Sequence, residues 1–600
     1  MKKAERYSII YGMNYDLKGK GTMRKLLIYL KKYRVEAVVG PLFKLFEALL
    51  ELSVPLVVAA IADNGIANGD TGYIVRMCLL LILMGAVGLA FSLTAQYFSA
   101  KAACGFSAGL RSALFAKIQT LSFPQLDKIG TPTLITRMTS DVNQVQTGIN
   151  LTLRLLLRSP FVVFGAMIMA FAVGAAAPAT AAVFAVAIPV LLVVVFIILT
   201  AGIPLFGRSR SKLDLVTGKI SSNLEGARVL RAFCREEDEK EEFSERAEAL
   251  AKTQIVAGRI SGLLNPLTYV IINIAIILLL HYSAVGVDSG VLTQGQMIAL
   301  YNYMTQILVE LIKMANLIIT VTKSIACAKR IAVIMDEPAD MLPLEEKAEG
   351  KKADAPAIEL CSVDFRYSGA SGDALKDISV SIGRGQRLGI IGGTGSGKST
   401  LAALIPRFYD ATGGQVLVDG RDVKTYGETE LRSKIGYVAQ SADLFRGSVR
   451  DNVRWGKPDA SDDEIAEALR VAQLTQIKAG EKNMLDTEVG QNGKNLSGGQ
   501  RQRLTIARAL VRKPEILILD NSSSALDQLT DARLRAAIGE LDFAPAVIII
   551  SQRAVSVRDC DKILVLDNGE AVGLGTHGEL YESCPVYREI CDSQMGGASI

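Results

Sequence analysis

Gly392-Gly-Thr-Gly-Ser-Gly-Lys-Ser-Thr400 sets glycines, a lysine and a hydroxyl at the spacing G-x-x-x-x-G-K-[ST]. That pattern suits phosphate. Gly392, Gly393, Thr394, Gly395, Ser396 and Gly397 let backbone N–H groups wrap an anion. Lys398 reaches the β- and γ-phosphates, and the Ser399 hydroxyl ligates Mg²⁺, with Thr400 next in the chain. The context agrees, because Arg387–Ile391 is a strand of apolar residues and Leu401-Ala-Ala-Leu404 forms a helix. A second element is Pro514-Glu-Ile-Leu-Ile-Leu-Asp520, an apolar strand whose terminal Asp520 holds Mg²⁺ through water. The next residue is Asn521. A third apolar strand runs through Ile548-Ile-Ile550 to Ser551-Gln552. Asn521 and Gln552 are both amides, and an amide neither takes a proton from water nor becomes a cation. The pocket has its binding groups but lacks acid/base groups at two strand ends.

The most specific stretch is Leu496-Ser-Gly-Gly-Gln-Arg-Gln-Arg503. It resembles the signature of ABC-type ATPases, and further motifs of that family fall in order around it. Tyr367 matches the aromatic residue that stacks on adenine. Gln440, in Tyr437-Val-Ala-Gln-Ser441, matches the Gln that contacts Mg²⁺ and the membrane domain. Thr487-Glu-Val-Gly-Gln491 resembles the exporter-specific loop, with Gln491 where Glu is usual. Ser524-Ala-Leu-Asp527 matches the loop that crosses the dimer interface. Ser497 opens a helix whose N-terminal N–H groups, with Gly498, Gly499 and Gln500, form an anion site. The resemblance implies that this site faces the γ-phosphate held by a second subunit.

The same resemblance gives the two amides their meaning. It places a Glu general base where Asn521 stands and a His switch residue, which senses the γ-phosphate, where Gln552 stands. The other histidines, His281 and His577, do not substitute, since one ends a membrane span and the other lies well downstream. Loss of a general base costs about 10²–10⁴ in rate. The expectation is a degenerate subunit of a heterodimer. It binds ATP and Mg²⁺, with Ser399, Gln440 and Asp520 on the metal side, and hydrolyses ATP poorly. Its intact signature completes the competent site of a partner that carries Glu and His.

These motifs occupy only the second half of the chain. Of the 600 residues, half are apolar, and the long apolar runs lie within 36–322. No charge occurs between Arg158 and Arg208, too long for one span of about 20 residues, so Gly174–Pro178 is read as a turn between two. Six spans are predicted near 36–62, 73–99, 151–174, 179–203, 260–281 and 295–322. The outer connections near 63–73, 174–180 and 282–296 hold no Lys or Arg, so both chain ends face the cytoplasm. The long inner connections keep helical periodicity, and spans two to five are expected to continue into the cytoplasm. Phe123-Pro-Gln-Leu-Asp127 breaks one hairpin into a short cross-helix. Arg228–Glu237 resembles the part of a second hairpin that docks on a nucleotide domain, expected to be the partner's.

The reading is therefore an all-α six-helix transmembrane domain of the type I exporter kind, then an α/β P-loop nucleotide-binding domain of the ABC type. Residues 1–22 form a tail, 23–335 the transmembrane domain with an interfacial helix at 23–34, 336–356 a linker and 357–600 the nucleotide domain. The net charge of +5 does not argue for nucleic acid, and eight scattered Cys without metal-ligand spacing read as reduced thiols. The resemblance implies a bacterial cytoplasmic-membrane exporter of amphipathic compounds, lipids or peptides. An importer on the same fold and an ATP-gated regulatory subunit stay open. Lys44, Glu47 and Glu51 share one face of span one, and Glu51 lies roughly 16 Å deep. Glu51 either lines a translocation path for cationic cargo or pairs with a neighbouring helix. Glu310 and Lys313 are expected to pair or snorkel near the inner interface, and Arg154 and Arg158 to be interfacial.

Overall fold

The computed structural model describes residues 26–338, 340–341, 355–475 and 484–595. The expected N-terminal tail and most of the linker lie outside these. The chain divides into two units. One comprises residues up to Gln119 together with Thr131–Glu337, the other Thr120–Gly130 together with Pro338 onward.

The first unit is helical. Leu27–Tyr33 is a 3₁₀ segment where the sequence predicts an interfacial α-helix, and it runs into α1 (Arg34–Ala60). The unit continues with α2 (Thr71–Ile118). After the excursion to the cross-helix α3 (Phe123–Ile129), which belongs to the second unit, come α4 (Val142–Leu155), α5 (Arg158–Val173), α6 (Pro178–Glu225), α7 (Ala227–Ala232), α8 (Glu236–Gly262), α9 (Leu264–Asp288) and α10 (Gln294–Asp336). Helices α2 and α6 have 48 residues each, far more than a bilayer needs, so they extend beyond it as their periodicity indicates. The turn at 174–177 ends at Pro178, the first residue of α6, where a missing N–H costs nothing. Five helical stretches among the described residues are long and apolar enough to cross a membrane. The sixth expected span is the continuous α10, which is outside that set. Its run is interrupted by Asn302, Gln306, Glu310 and Lys313.

Those charges are paired. Arg158 reaches Glu310 at 2.6 Å and Glu51 at 2.5 Å, and Lys313 reaches Glu310 at 2.7 Å. Lys44 binds Glu47 at 2.6 Å and the Ser92 hydroxyl at 3.0 Å. Arg158 is buried rather than interfacial, because α5 begins there and packs its Ser159, Val162, Ala166 and Ala170 side inward. Of the two readings of Glu51, the helix-to-helix pair is the one found. Removing one partner of such a buried pair costs about 3–5 kcal/mol, since it strands the other charge.

The second unit is built on strands. A six-stranded sheet has the order β12-β11-β3-β10-β9-β6, with β3 (Arg387–Gly392), β6 (Ile435–Val438), β9 (Ile516–Asp520), β10 (Ala546–Ile550) and β11 (Lys562–Asp567) parallel and β12 (Glu570–Gly575) antiparallel at the edge. β9 and β10 are buried at every residue, which explains their unbroken apolar runs, since helices cover both faces of a parallel sheet. An antiparallel sheet, β2-β1-β4-β5, lies beside it, formed by β1 (Ile358–Phe365), β2 (Leu375–Ile382), β4 (Gly413–Val418) and β5 (Arg421–Asp422). The cross-helix α3 packs on this unit. The Phe123 and Phe408 rings lie 4.5 Å apart and tilted by 35°, Asp127 accepts a 2.6 Å hydrogen bond from the Tyr409 hydroxyl, and the Gln125 amide donates to the Pro338 carbonyl at 2.7 Å.

Candidate functional site

Parallel strands end together, so the residues just beyond their ends share one edge. Ile390 pairs with Ile550, Ile550 with Asp520, and Leu519 with Val438. The phosphate loop, Gln552, Asp520–Asn521 and Gln440 therefore lie at four adjacent strand ends, the usual ligand edge of an open α/β sheet.

The loop at 392–397 runs from β3 into the helix Lys398–Leu404. Glycine is required at two of its positions. A Cβ on Gly392 would lie 2.0 Å from the Leu566 carbonyl, and Gly397 has φ +95° with the Ala374 carbonyl 2.7 Å from a Cβ. Gly393, Thr394 and Gly395 are exposed at the tip, whereas Ser396, Lys398 and Thr400 are buried. The Lys398 ammonium donates to the Gly392 carbonyl at 3.0 Å and the Ser396 hydroxyl at 3.1 Å, and burial holds its pKa below the usual lysine range, with Asp520 opposing. The Ser399 hydroxyl donates to Asp520 at 2.9 Å and the Tyr437 hydroxyl to its other oxygen at 3.4 Å. Burial pushes the Asp520 carboxyl up, against the pull of Ser399, Tyr437 and Lys398. A buried lysine, a hydroxyl and a carboxylate at one edge fit Mg²⁺-ATP, whose metal prefers oxygen ligands. Tyr367, half-exposed, donates or accepts at 3.0 Å with Thr400, which sets its ring beside the loop. Gln440 is exposed just beyond β6.

Asn521 has φ +47°, a region that Asn adopts more readily than most residues, and its N–H bonds the Ile550 carbonyl at 2.9 Å. Gln552 is exposed, between Ser551, whose hydroxyl accepts from Arg553 N–H at 3.0 Å, and the buried Ala554. Arg553 also donates to the Leu526 carbonyl at 3.3 Å, tying this loop to Ser524–Asp527.

Ser497 caps the 13-residue helix Gly498–Leu510 in a capping box. Its hydroxyl accepts from Gln500 N–H at 3.2 Å and the Gln500 side chain accepts from Ser497 N–H at 2.9 Å. Ser497 and Gly498 are exposed, with Ala525 beside both glycines. Gln491 is exposed in a 3₁₀ turn.

A model of the ABC transporter transmembrane region matches residues 38–311, and an ABC transporter model matches 375–524. An uncharacterized ABC transporter ATP-binding protein of Mycobacterium bovis is 36% identical over 575 residues, covering 95% of this chain and 98% of that protein. The chain belongs to the ABC transporter family. YfiB of Bacillus subtilis, an uncharacterized ABC transporter ATP-binding protein, is 34% identical over 96% of this transporter and 99% of its own length. A bacterial Atm1-family ABC exporter with ATP bound superposes with a TM-score of 0.78 over 95% of this chain and 99% of that one. At 23% identity that likeness is one of fold. This transporter is thus a multi-pass membrane protein with an exporter-type fold and an ATPase domain that drives transport.

Four contributors escaped the sequence reading. Tyr437 sits inside a recognised motif, yet only the sheet reveals its hydroxyl on Asp520. Phe408 and Tyr409 hold α3, and nothing in their local pattern says so. Gln594, near the C-terminus, bonds the loop of Gln552 and carries no motif.

Proposed function

We propose that this transporter is the degenerate subunit of a heterodimeric exporter of amphipathic compounds, lipids or peptides. The observation that carries the reading is the pair of amides, Asn521 and Gln552, at two strand ends of an otherwise complete phosphate pocket. Bound Mg²⁺-ATP supplies the phosphoanhydride. Lys398 and the loop N–H groups neutralise its phosphates, Tyr367 carries the adenine, and Ser399, Asp520 and Gln440 serve the metal. The Asn521 amide orients water without removing its proton, so ATP is held longer than it is cleaved. Ser497, Gly498, Gly499 and Gln500 face outward and complete the partner's site, where a Glu base acts.

The second hairpin supports a partner. No residue of α7 is buried; Val229 within it and Phe233 at its end are 59% and 74% exposed. On the nucleotide unit, Phe445 and Trp455 stack at 4.5 Å with Arg508 over Phe445, and both rings are exposed. Each chain's α7 tip suits the other chain's aromatic pair.

The test is ATP turnover of the full chain alone and with the partner. Turnover alone is expected about 10²–10⁴ lower. Ser497→Arg abolishes the pair's activity, and Asn521→Glu is not needed for it. Comparable turnover by the chain alone defeats the reading.

A further inference from the structure

We propose that Gln594 is a positioning residue for the γ-phosphate-sensing loop. It rests on Gln552 being the residue that meets the terminal phosphate. Gln594 lies on the last described helix, Pro585–Met595. Its Nε2 donates to the Gln552 carbonyl at 2.7 Å, and its Oε1 accepts from Ala554 N–H at 2.8 Å. One side chain thereby grips the backbone at Gln552 and two residues beyond.

The chemistry needs an amide. The grip uses a donor and an acceptor at once, and a carboxylate only accepts. The helix is itself anchored. Tyr587 and Cys591 are buried in the core of the unit, the Tyr587 hydroxyl is 2.9 Å from His577 Nδ1, and Arg588 donates to the Tyr581 carbonyl at 2.7 Å. On its other side the loop is held where Ser551 N–H bonds the Ile390 carbonyl at 3.1 Å. Between Ser551 and Ala554 the side chains of Gln552 and Arg553 are exposed, so the backbone decides where Gln552 points. Gln594 fixes that backbone from outside the sheet. It makes the C-terminal helix part of how this pocket distinguishes ATP from ADP.

The experiment uses the full chain in lipid nanodiscs with Mg²⁺. Affinities for ATP and ADP are measured by displacement of a fluorescent nucleotide, and hydrogen exchange is followed at Ala554 N–H. Gln594→Ala and Gln594→Glu are compared with Gln552→Ala. Gln594 is solvent-exposed, so these variants fold. Gln594→Ala is expected to lower ATP affinity about 3- to 10-fold, the scale of a lost hydrogen bond, with ADP affinity unchanged and Ala554 exchange faster. Gln594→Glu keeps the acceptor, protects Ala554 and still loses ATP preference. Gln552→Ala reproduces the loss. The proposal is overturned if Gln594→Ala keeps the ATP preference that Gln552→Ala removes, or if Ala554 exchange does not change. If Gln594→Ala lowers the preference and Gln552→Ala does not, the grip stands and the role of Gln552 falls. If neither variant alters it, both fall.

Discussion

The two hairpin-tip helices have similar sequence character and different surroundings. Both are short helices breaking long ones and both carry a Phe. The first, α3, is packed on its own unit: Phe123 lies tilted against Phe408 and keeps 38% of its surface exposed, Asp127 meets Tyr409, and Gln125 is buried. The second, α7, buries no residue, with Phe233 at its end open to solvent. An exposed apolar tip is a surface of the kind that marks interaction sites. The difference is that α3 finds aromatic partners within its own unit, whereas α7 buries none of its residues. The assembly proposed above, with a second nucleotide domain, offers a cover for Phe233.

Phe233→Asp is the strongest way to break this comparison. Burying a Phe side chain is worth about 1.5–3 kcal/mol, so turnover of the assembled transporter is expected to fall about 10-fold or more. Thermal unfolding of the chain alone stays unchanged, since Phe233 is already exposed. Unaltered turnover in the pair makes α7 an ordinary solvated turn. A smaller effect comes from Phe123→Ala in α3. Losing an aromatic pair of about 0.5–1.5 kcal/mol speeds hydrogen exchange across 120–130 by about 2- to 10-fold in the chain without its partner. Equal exchange before and after means α3 is held by other groups. The smallest is Tyr409→Phe, which deletes one hydroxyl and its bond to Asp127. About two- to fivefold faster exchange in α3, with ATP affinity preserved, is the outcome expected of one partly exposed hydrogen bond.

Much of the nucleotide edge was legible because its constraints are local. Gly392 and Gly397 are glycine since carbonyl oxygens of Leu566 and Ala374 occupy the space of a side chain. The apolar runs ending at Asp520 and Ile550 are unbroken because both faces of their sheet are buried. Ser497 and Gln500 form a reciprocal cap four residues long, which sequence spacing alone displays. Span one was harder. Counting residues places Glu51 at depth and Arg158 at the interface, yet the two meet at 2.5 Å. Depth comes from length, whereas pairing depends on how helices far apart in the chain turn toward one another. Gln594 was illegible for the same reason, as its partners lie about forty residues earlier and are backbone atoms, which any sequence provides.

By itself, then, the sequence determined the phosphate loop, the apolar strand ending in Asp520, the signature cap and the two amides, because each is dictated by residue type within a few positions. It also determined where apolar helices outrun a bilayer. Only the tertiary structure decided which charges neutralise each other between α1, α5 and α10, that Tyr437 supports Asp520, and that α3 packs on Phe408 and Tyr409 while α7 buries no residue. Those outcomes belong to surfaces brought together by folding, where the free energy lies in burial and pairing between distant segments rather than in the local preferences of any one.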